Sequence, residues 1–435
     1  MITTINNKHK KLNFSNEREQ SQACLNSAEH EKNQGRKVLN VPNLRFPEFK
    51  GEWKKCKLGT LTTKVGSGST PKGGNAVYTS AGHCFVRSQN VGMGYLILDE
   101  IAHINDVIHQ KHKATELKED DVLLNITGAS IGRTAIATKE IEGGNVNQHV
   151  CIIRANSKVN PKFLCNYIQT KKIQNYIQSL QTGGSREGLN FEQIRSFPIS
   201  LPNIAEQNKI AQLLDILNER IATQSKIIED LKELKSAIIN YAINSLDTDF
   251  AKFSSLYEMA GEGGTPTTSN ASFYDNGKIP FIKIDDLKQK YLIENNDFIT
   301  ELGLQRSSAW LVPTSSILFS NGATIGEITI TTYPVCTKQG ILGIVPKQNI
   351  DVEFLYYFMS SSYFKKAVSR IVTEGTMKTA YLKDINNILC PIPTKEKQQE
   401  IAKMPSALNS KIDFEQSILK LFCSQKQYLL RQMFI

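Results

Sequence analysis

Few residues in this chain are typed and spaced for catalysis. The grouping that comes nearest is Asp275, Asp286 and Lys288, two carboxylates and an ammonium that could hold Mg²⁺ and activate water in a nuclease. It occurs once, because Asn90 and Gly92 stand at the positions that correspond to Asp286 and Lys288. His109 and His112 lie three apart, but no third and fourth ligand accompanies them, so they read as solvated surface rather than a metal site. The eight cysteines are scattered with no CxxC pair, which speaks against a zinc ribbon and for reduced thiols in the cytoplasm. The chain has no GxxxxGK[ST] phosphate loop, no GxGxxG between a strand and a helix, no Asn-Pro-Pro-aromatic run, no GxSxG and no HExxH. ATP hydrolysis, dinucleotide binding, base methylation and serine or zinc hydrolysis therefore lack their usual residues.

Other polar residues are better suited to reading than to reacting. Arg87, Ser88, Gln89 and Asn90 follow a β-type run, and Lys283, Ile284, Asp285 and Asp286 take their place later in the chain. Arg reads guanine, Asn or Gln reads adenine, and Asp accepts from cytosine N4. Asn147 and Gln148 set against Lys338 and Gln339, and Ser185 and Arg186 against Thr376 and Lys378, vary in the same way. Lys72, Arg133, Asn321 and Thr324 lie in glycine-bearing loops whose backbone amides can approach phosphates. One scaffold carrying different polar side chains is what two different DNA half-sites require.

The scaffold is duplicated. Gly66 to Pro71 recurs as Gly261 to Pro266 at an offset of 195, and Leu123 to Ile136 recurs as Ile317 to Ile330 at 194. Phe163-Leu164, Gly184-Ser185, Leu201-Pro202 and Gln207 recur at 191. A period this long means two copies of one domain-plus-helix unit rather than a solenoid. Each copy opens with a Gly-rich loop ending in Thr-Pro. Strands are expected at Cys84–Val86, Val122–Ile126 and Val150–Ile153, and at Ile279–Ile284, Ser316–Ser320, Glu327–Thr331 and Gly340–Val345. A helix is expected from about Pro161 to Leu180, and its counterpart from about Val352 to Val372. The fold class is α+β with mixed strands.

A long helix closes each copy. Asn203 is a candidate N-cap with Glu206 three residues on. A 4–3 rhythm runs through Ile210, Leu214, Leu217, Ile221, Gln224, Ile228, Leu231, Lys235, Ile238 and Ala242, the mark of a coiled-coil seam. Adding 191 gives a second seam from Ile401 to Met433 whose polar breaks, Glu415 and Lys426, match Gln224 and Lys235. Shared register predicts that the two seams pack together. Pro405 falls inside the second, so that helix is expected to begin or kink there. The resulting division is a disordered leader at 1–40, recognition domains at 41–202 and 246–393, and helices at 203–245 and 394–435.

Charge agrees with a polyanion partner for the first half only. Net charge is +10, of which residues 41–202 carry +7, while residues 246–393 carry −2. No apolar stretch is long enough to cross a membrane.

The run Leu44 to Phe49 with Gly51-Glu52-Trp53, the Gly-x-Gly-x-Thr-Pro loop, Asn321 to Gly326, and the Leu-Pro…Glu-Gln…Ile-Ala opening at Leu201 to Ala211 resemble the DNA-specificity subunit of type I restriction–modification systems. The likeness covers about residues 41–435. It implies two pseudo-symmetric target-recognition domains, each reading half of a split duplex DNA target, separated by two long antiparallel helices. It also implies a subunit without catalysis of its own, which recruits two methylation subunits and, through them, the restriction subunits. S-adenosylmethionine, Mg²⁺ and ATP would belong to those partners. Two rival readings are the endonuclease based on Asp275, Asp286 and Lys288, and a coiled-coil scaffold that binds no nucleic acid.

Overall fold

The computed structural model describes residues 39–181, 188–322, 324–372 and 378–435. The chain forms two units, one comprising residues up to Asn218 together with Ser424–Ile435, the other Glu219–Cys423.

Unit 1 is built on an antiparallel sheet in the order Thr62–Ser67, Val150–Ala155, Val122–Asn125, Thr134–Ile136. A second sheet places His83–Val86 between Ala102–Ile104 and Asn145–Val146, the latter pair parallel. A two-stranded ribbon joins Lys54–Lys57 to Pro198–Leu201. Val122, Leu124, Cys151 and Ile153 pack on Phe163, Tyr167, Trp53 and Phe434 to form the main core. The two central strands, Val122–Asn125 and Val150–Ala155, are near-continuous apolar runs because both of their faces are covered.

Unit 2 repeats this order. Tyr257–Glu262, Ile341–Pro346, Ile317–Ser320 and Ile328–Thr331 form the main sheet, extended by Tyr291–Leu292. Ile279–Ile282 lies between Phe298–Ile299 and the parallel Cys336–Thr337, and Phe250–Lys252 pairs with Leu389–Pro391. The repeat expected from the sequence is therefore present strand by strand, with one correction of register. Val122 pairs with Ile153 and Ile317 with Ile344, so Val122 corresponds to Ile317 at an offset of 195, not 194. The missing residue falls in the following turn. There Gly128 takes φ +68°, while Gly322 does not adopt a positive φ, so these two glycines are not equivalents; Gly132 and Gly326, at +86° and +108°, are.

Each expected mid-domain helix is two helices. Pro161–Ile168 is followed by Lys171–Ser179, and Val352–Ser360 by Ser362–Ile371. Thr170 and Ser361, 191 apart, cause the break, since each accepts at its hydroxyl the amide of the residue three further on and so caps a new helix.

The long helices span Ile204–Asn244 and Lys395–Gln432. Every position of both seams is buried or half-buried. Within unit 2 the helices pair antiparallel. Gln224 Nε2 donates to the Glu415 carbonyl at 3.2 Å and to its carboxylate, and Lys235 Nζ donates to Asn409 Oδ1 at 2.9 Å. Hydrogen bonds from Lys411 and then Gln224 hold the Glu415 carboxyl below its ordinary range. The second helix does not begin at Pro405; it starts ten residues earlier and runs through the proline. Pro405 itself is buried, and the next residue is anchored. Ser406 Oγ receives Lys290 Nζ at 2.9 Å, contacts Tyr357 OH at 3.1 Å and donates to Glu353.

The helix starts are locked alike. Gln207 Nε2 donates to the Pro202 carbonyl at 2.9 Å while its Oε1 accepts from Asn160 N at 2.9 Å. Gln398 does the same with Pro393 at 2.9 Å and Asp351 N at 2.8 Å. Asn203 Oδ1 accepts from Glu206 N at 2.9 Å, as a cap should. The Glu206 carboxylate does not return to the cap. It is fully buried and takes a bidentate pair from Arg45, both contacts 2.7 Å, and Trp53 Nε1 at 3.2 Å. Among the described residues no helix is long and apolar enough to cross a membrane.

Candidate nucleic-acid interface

One edge of each unit gathers the loops that carry the candidate readers. In unit 1 the Gly-rich loop crosses so close to Val146 that a Cβ on Gly68 would lie 1.7 Å from its carbonyl oxygen. The same holds in unit 2, where a Cβ on Gly263 would lie 2.2 Å from the Thr337 carbonyl. Glycine is required at both positions for this approach. The contact places Thr70 against Gln148, and Thr265 Oγ1 beneath Gln339 N at 3.2 Å.

Backbone bonds bring in the remaining loops. Asn147 N donates to Val86 O at 3.0 Å, which sets the turn after Val86 beside Gln148; Lys338 N donates to Ile282 O at 2.9 Å and does the same for Lys283. Ile126 N bonds His149 O at 3.0 Å and Leu189 N bonds Ile126 O at 2.8 Å. Their counterparts are Asn321 N to Gly340 O at 3.0 Å and Ala380 N to Asn321 O at 2.9 Å. The two edges thus share a backbone and differ in side chains. Lys72, Gln89, Arg133 and Gln148 are exposed in unit 1, and Lys283, Asp285, Thr324, Lys338, Gln339 and Lys378 in unit 2. In unit 2 a hollow of about 280 Å³ opens here, lined by Thr265, Tyr274, Lys283, Asp297 and Lys338 among others.

A family model described as the type I restriction modification DNA specificity domain matches residues 50–233 and again 248–421. The chain belongs to this family. Among its relatives, the putative type I restriction enzyme MjaX specificity subunit of Methanocaldococcus jannaschii is 21% identical over 402 residues, covering 87% of this chain and 92% of that one. The HindI specificity subunit of Haemophilus influenzae is 21% identical over 403 residues, covering 75% and 86%. The crystal structure of the type I restriction–modification S subunit from M. genitalium shares the fold, with a TM-score of 0.56 at 16% identity over 91% of this chain and 99% of that one.

Within this family frame the candidate readers divide into surface and scaffold. Asn90 is 2% exposed; its Oδ1 accepts from Arg87 N at 3.0 Å and its Nδ2 donates to Ile97 O at 2.9 Å. Both ends of its amide are engaged in shaping a turn. Asp286 shapes the same turn in unit 2, accepting from Lys283 N at 2.8 Å. Asn147 is buried and accepts from His149 N at 3.0 Å. Asn321 is 1% exposed and donates to Ala380 O at 3.3 Å. Buried Asn is well suited to such turns because its short amide satisfies nearby backbone groups. Arg87 is half-buried, its guanidinium over the Tyr78 ring at 5.5 Å, and Ser88 is half-buried beside it. Ser185, Arg186 and Thr376 lie outside the described residues.

The nuclease grouping is not assembled. Lys288 pairs with Asp285 at 2.9 Å and Asp286 is occupied by its turn. Among the described residues no group of three His, Cys, Asp or Glu is placed to hold a metal ion. His109 is not solvated surface, as its sequence context suggested, but 2% exposed. Its ring stacks on His83 at 3.7 Å and its Nδ1 meets Asn145 Oδ1 at 2.8 Å.

Several edge residues escaped the sequence reading. Thr70 and Thr265 stand in the repeated Thr-Pro and were legible as a motif, though not as partners of Gln148 and Gln339. Asp297, which accepts Lys283 Nζ at 2.7 Å, carries no sequence signal, because nothing but the fold brings it to the edge; Tyr78 and Tyr274 stand 196 apart, the offset that relates Asn90 to Asp286, and were legible from the repeat.

Proposed function

We propose that each unit reads one half of a bipartite duplex DNA target through the edge just described. The observation that carries this reading is the pair of edges with matched backbone bonds and unmatched exposed side chains. Gln89 in one unit faces the task that Asp285 faces in the other, and Arg87 the task of Lys283. Lys72, Arg133, Lys338 and Lys378 supply charge for phosphates, which positions the duplex without specifying sequence. The chain performs no catalysis itself. It recruits two methylation subunits and, through them, restriction subunits of a type I complex in the cytoplasm. S-adenosylmethionine, Mg²⁺ and ATP are bound by those partners.

The test is selection of duplexes from a randomised pool by the purified chain. The wild type is expected to enrich two short blocks separated by unread base pairs. Gln89→Ala should relax one block and Asp285→Ala the other, by about 1–3 kcal/mol per lost base contact. Relaxation of both blocks by either variant, or no enrichment at any salt concentration, would refute it.

A further inference from the structure

Unit 2 also holds a cavity of about 690 Å³ that shares no lining residue with the hollow at the reading edge. The long helices form one side with Lys232, Lys235, Asn409, Asp413 and Lys420, and the recognition domain closes it with the segment from Lys288 to Tyr291. Its lining carries five lysines against one aspartate. Lys288 and Lys290 have partners in Asp285 and Glu353. Among the described residues Lys235 has only the neutral Asn409 as its hydrogen-bond acceptor. Burial depresses its ammonium below the ordinary lysine range; Asp413 opposes this, while Lys232, Lys290 and Lys365 add to it. Among the described residues neither Lys232 nor Lys420 has a carboxylate partner.

The duplicated frame does not explain this charge. By the offsets of the repeat, Cys423, Gly92, Gly94 and Glu229 stand where unit 2 has Lys232, Lys288, Lys290 and Lys420. Of the five lysines only Lys235 recurs, as Lys426. Lys290 serves to seat the domain on the helix, through Glu353 and Ser406, which leaves the charge of Lys232 and Lys420 without that explanation. Uncompensated ammonium groups around a concave site favour a multiply charged anion, and a phosphoryl group carries about −1.5 to −2 at neutral pH. Tyr291 and Tyr356 add aromatic surface to the lining.

We propose that this cavity binds a phosphoryl group, with Lys232, Lys235 and Lys420 as its cationic ligands. A cavity of this size accommodates a nucleotide-sized molecule; a backbone phosphate of DNA offers the same chemistry. Because its lining comes from both helices and the recognition domain, an occupant ties these three parts of unit 2 together.

Calorimetric titration of the full chain with inorganic phosphate, pyrophosphate and metal-free ATP tests it, beside the variant Lys232→Gln/Lys420→Gln. Both side chains are exposed, so the variant is expected to keep the wild-type unfolding temperature. Saturable binding at one site per chain, weakened about tenfold or more in the variant, is the expected result. If free phosphates do not bind, non-specific duplex DNA decides the source. A variant whose salt slope falls by about two locates a backbone phosphate there. Free-phosphate binding that the variant leaves unchanged overturns the proposal, as does the absence of such binding with an unchanged DNA salt slope. The free-phosphate arm does not depend on base reading, so failure of one proposal is distinguishable from failure of the other.

Discussion

Asn90 separates reading from scaffolding more sharply than any other residue of the edge. By type it is an adenine reader; by position it is 2% exposed with both ends of its amide engaged, to Arg87 N at 3.0 Å and Ile97 O at 2.9 Å. Asn90→Ala removes both hydrogen bonds and leaves the amide of the half-buried Arg87 and the carbonyl of Ile97 without that partner. At about 1 kcal/mol net per bond the loss is about 2 kcal/mol, the upper end of what removal of a capping side chain costs. For a unit of this size such a loss lowers the unfolding temperature by about 4–8 °C. Gln89→Ala, at the exposed neighbour, should leave the unfolding temperature within about 2 °C of wild type, since surface changes rarely exceed ~0.5 kcal/mol. The sequence block selected from a random duplex pool should change for Gln89→Ala and persist for Asn90→Ala. An Asn90→Ala chain that melts like wild type and selects a different block would show that Asn90 reads bases and that its turn is held by other means.

Further outcomes follow from the buried groups. Arg45→Met strands the fully buried Glu206 carboxylate and should cost about 3 kcal/mol, whereas Arg45→Met/Glu206→Met should recover most of it; urea unfolding that finds the single changes additive refutes the coupling. Burial raises the thiols of Cys151 to about 12 and of Cys165 and Cys336 to about 11, and raises Cys390 as well. The raised direction means less thiolate at any given pH, so iodoacetamide at pH 8 should label the exposed Cys423 first and spare these four until the chain unfolds. Mass spectrometry that finds Cys151 labelled as fast as Cys423 in the native chain refutes the burial.

What the sequence made legible was periodic or repeated. The seams could be read because a helix that buries a stripe must return an apolar residue every 3.5 positions. Even the polar breaks kept register, and Gln224 meets Glu415 across the seam. The strands could be read from their β-branched runs, but not their pairing. The recurrence of Leu123 to Ile136 suggests an offset of 194, yet sheet register is set by cross-strand partners, and Val122 pairs with Ile153 as Ile317 pairs with Ile344, an offset of 195. Thr170 and Ser361 look like ordinary helix residues until their hydroxyls are seen capping a second helix. The candidate site was half legible for a related reason. Asn90, Asn147 and Asn321 have the side chains of readers, and the same amides serve equally well to close turns. Residue type cannot separate the two uses, because the deciding quantity is whether a backbone group lies within hydrogen-bond reach.

The differences between the copies carry as much information as their likeness. The glutamine locks at Gln207 and Gln398 and the close glycines at Gly68 and Gly263 are kept, so the backbone of each domain and its seat on the helix are fixed in the same way. The charges at that seat are not kept. Lys162 pairs with Asp215 in unit 1; at the positions 191 further on, Glu353 meets Ser406, and the cation is supplied from within the domain by Lys290. Domain and helix have therefore changed together within each copy. An exchange of one partner alone would set Glu353-like and Asp215-like carboxylates against each other, or leave Lys290, 4% exposed, without its acid. What is free to vary in each copy is the exposed edge; what varies at the seat does so in matched pairs. That division is expected of a protein whose two halves keep one architecture while answering to different sequences of bases.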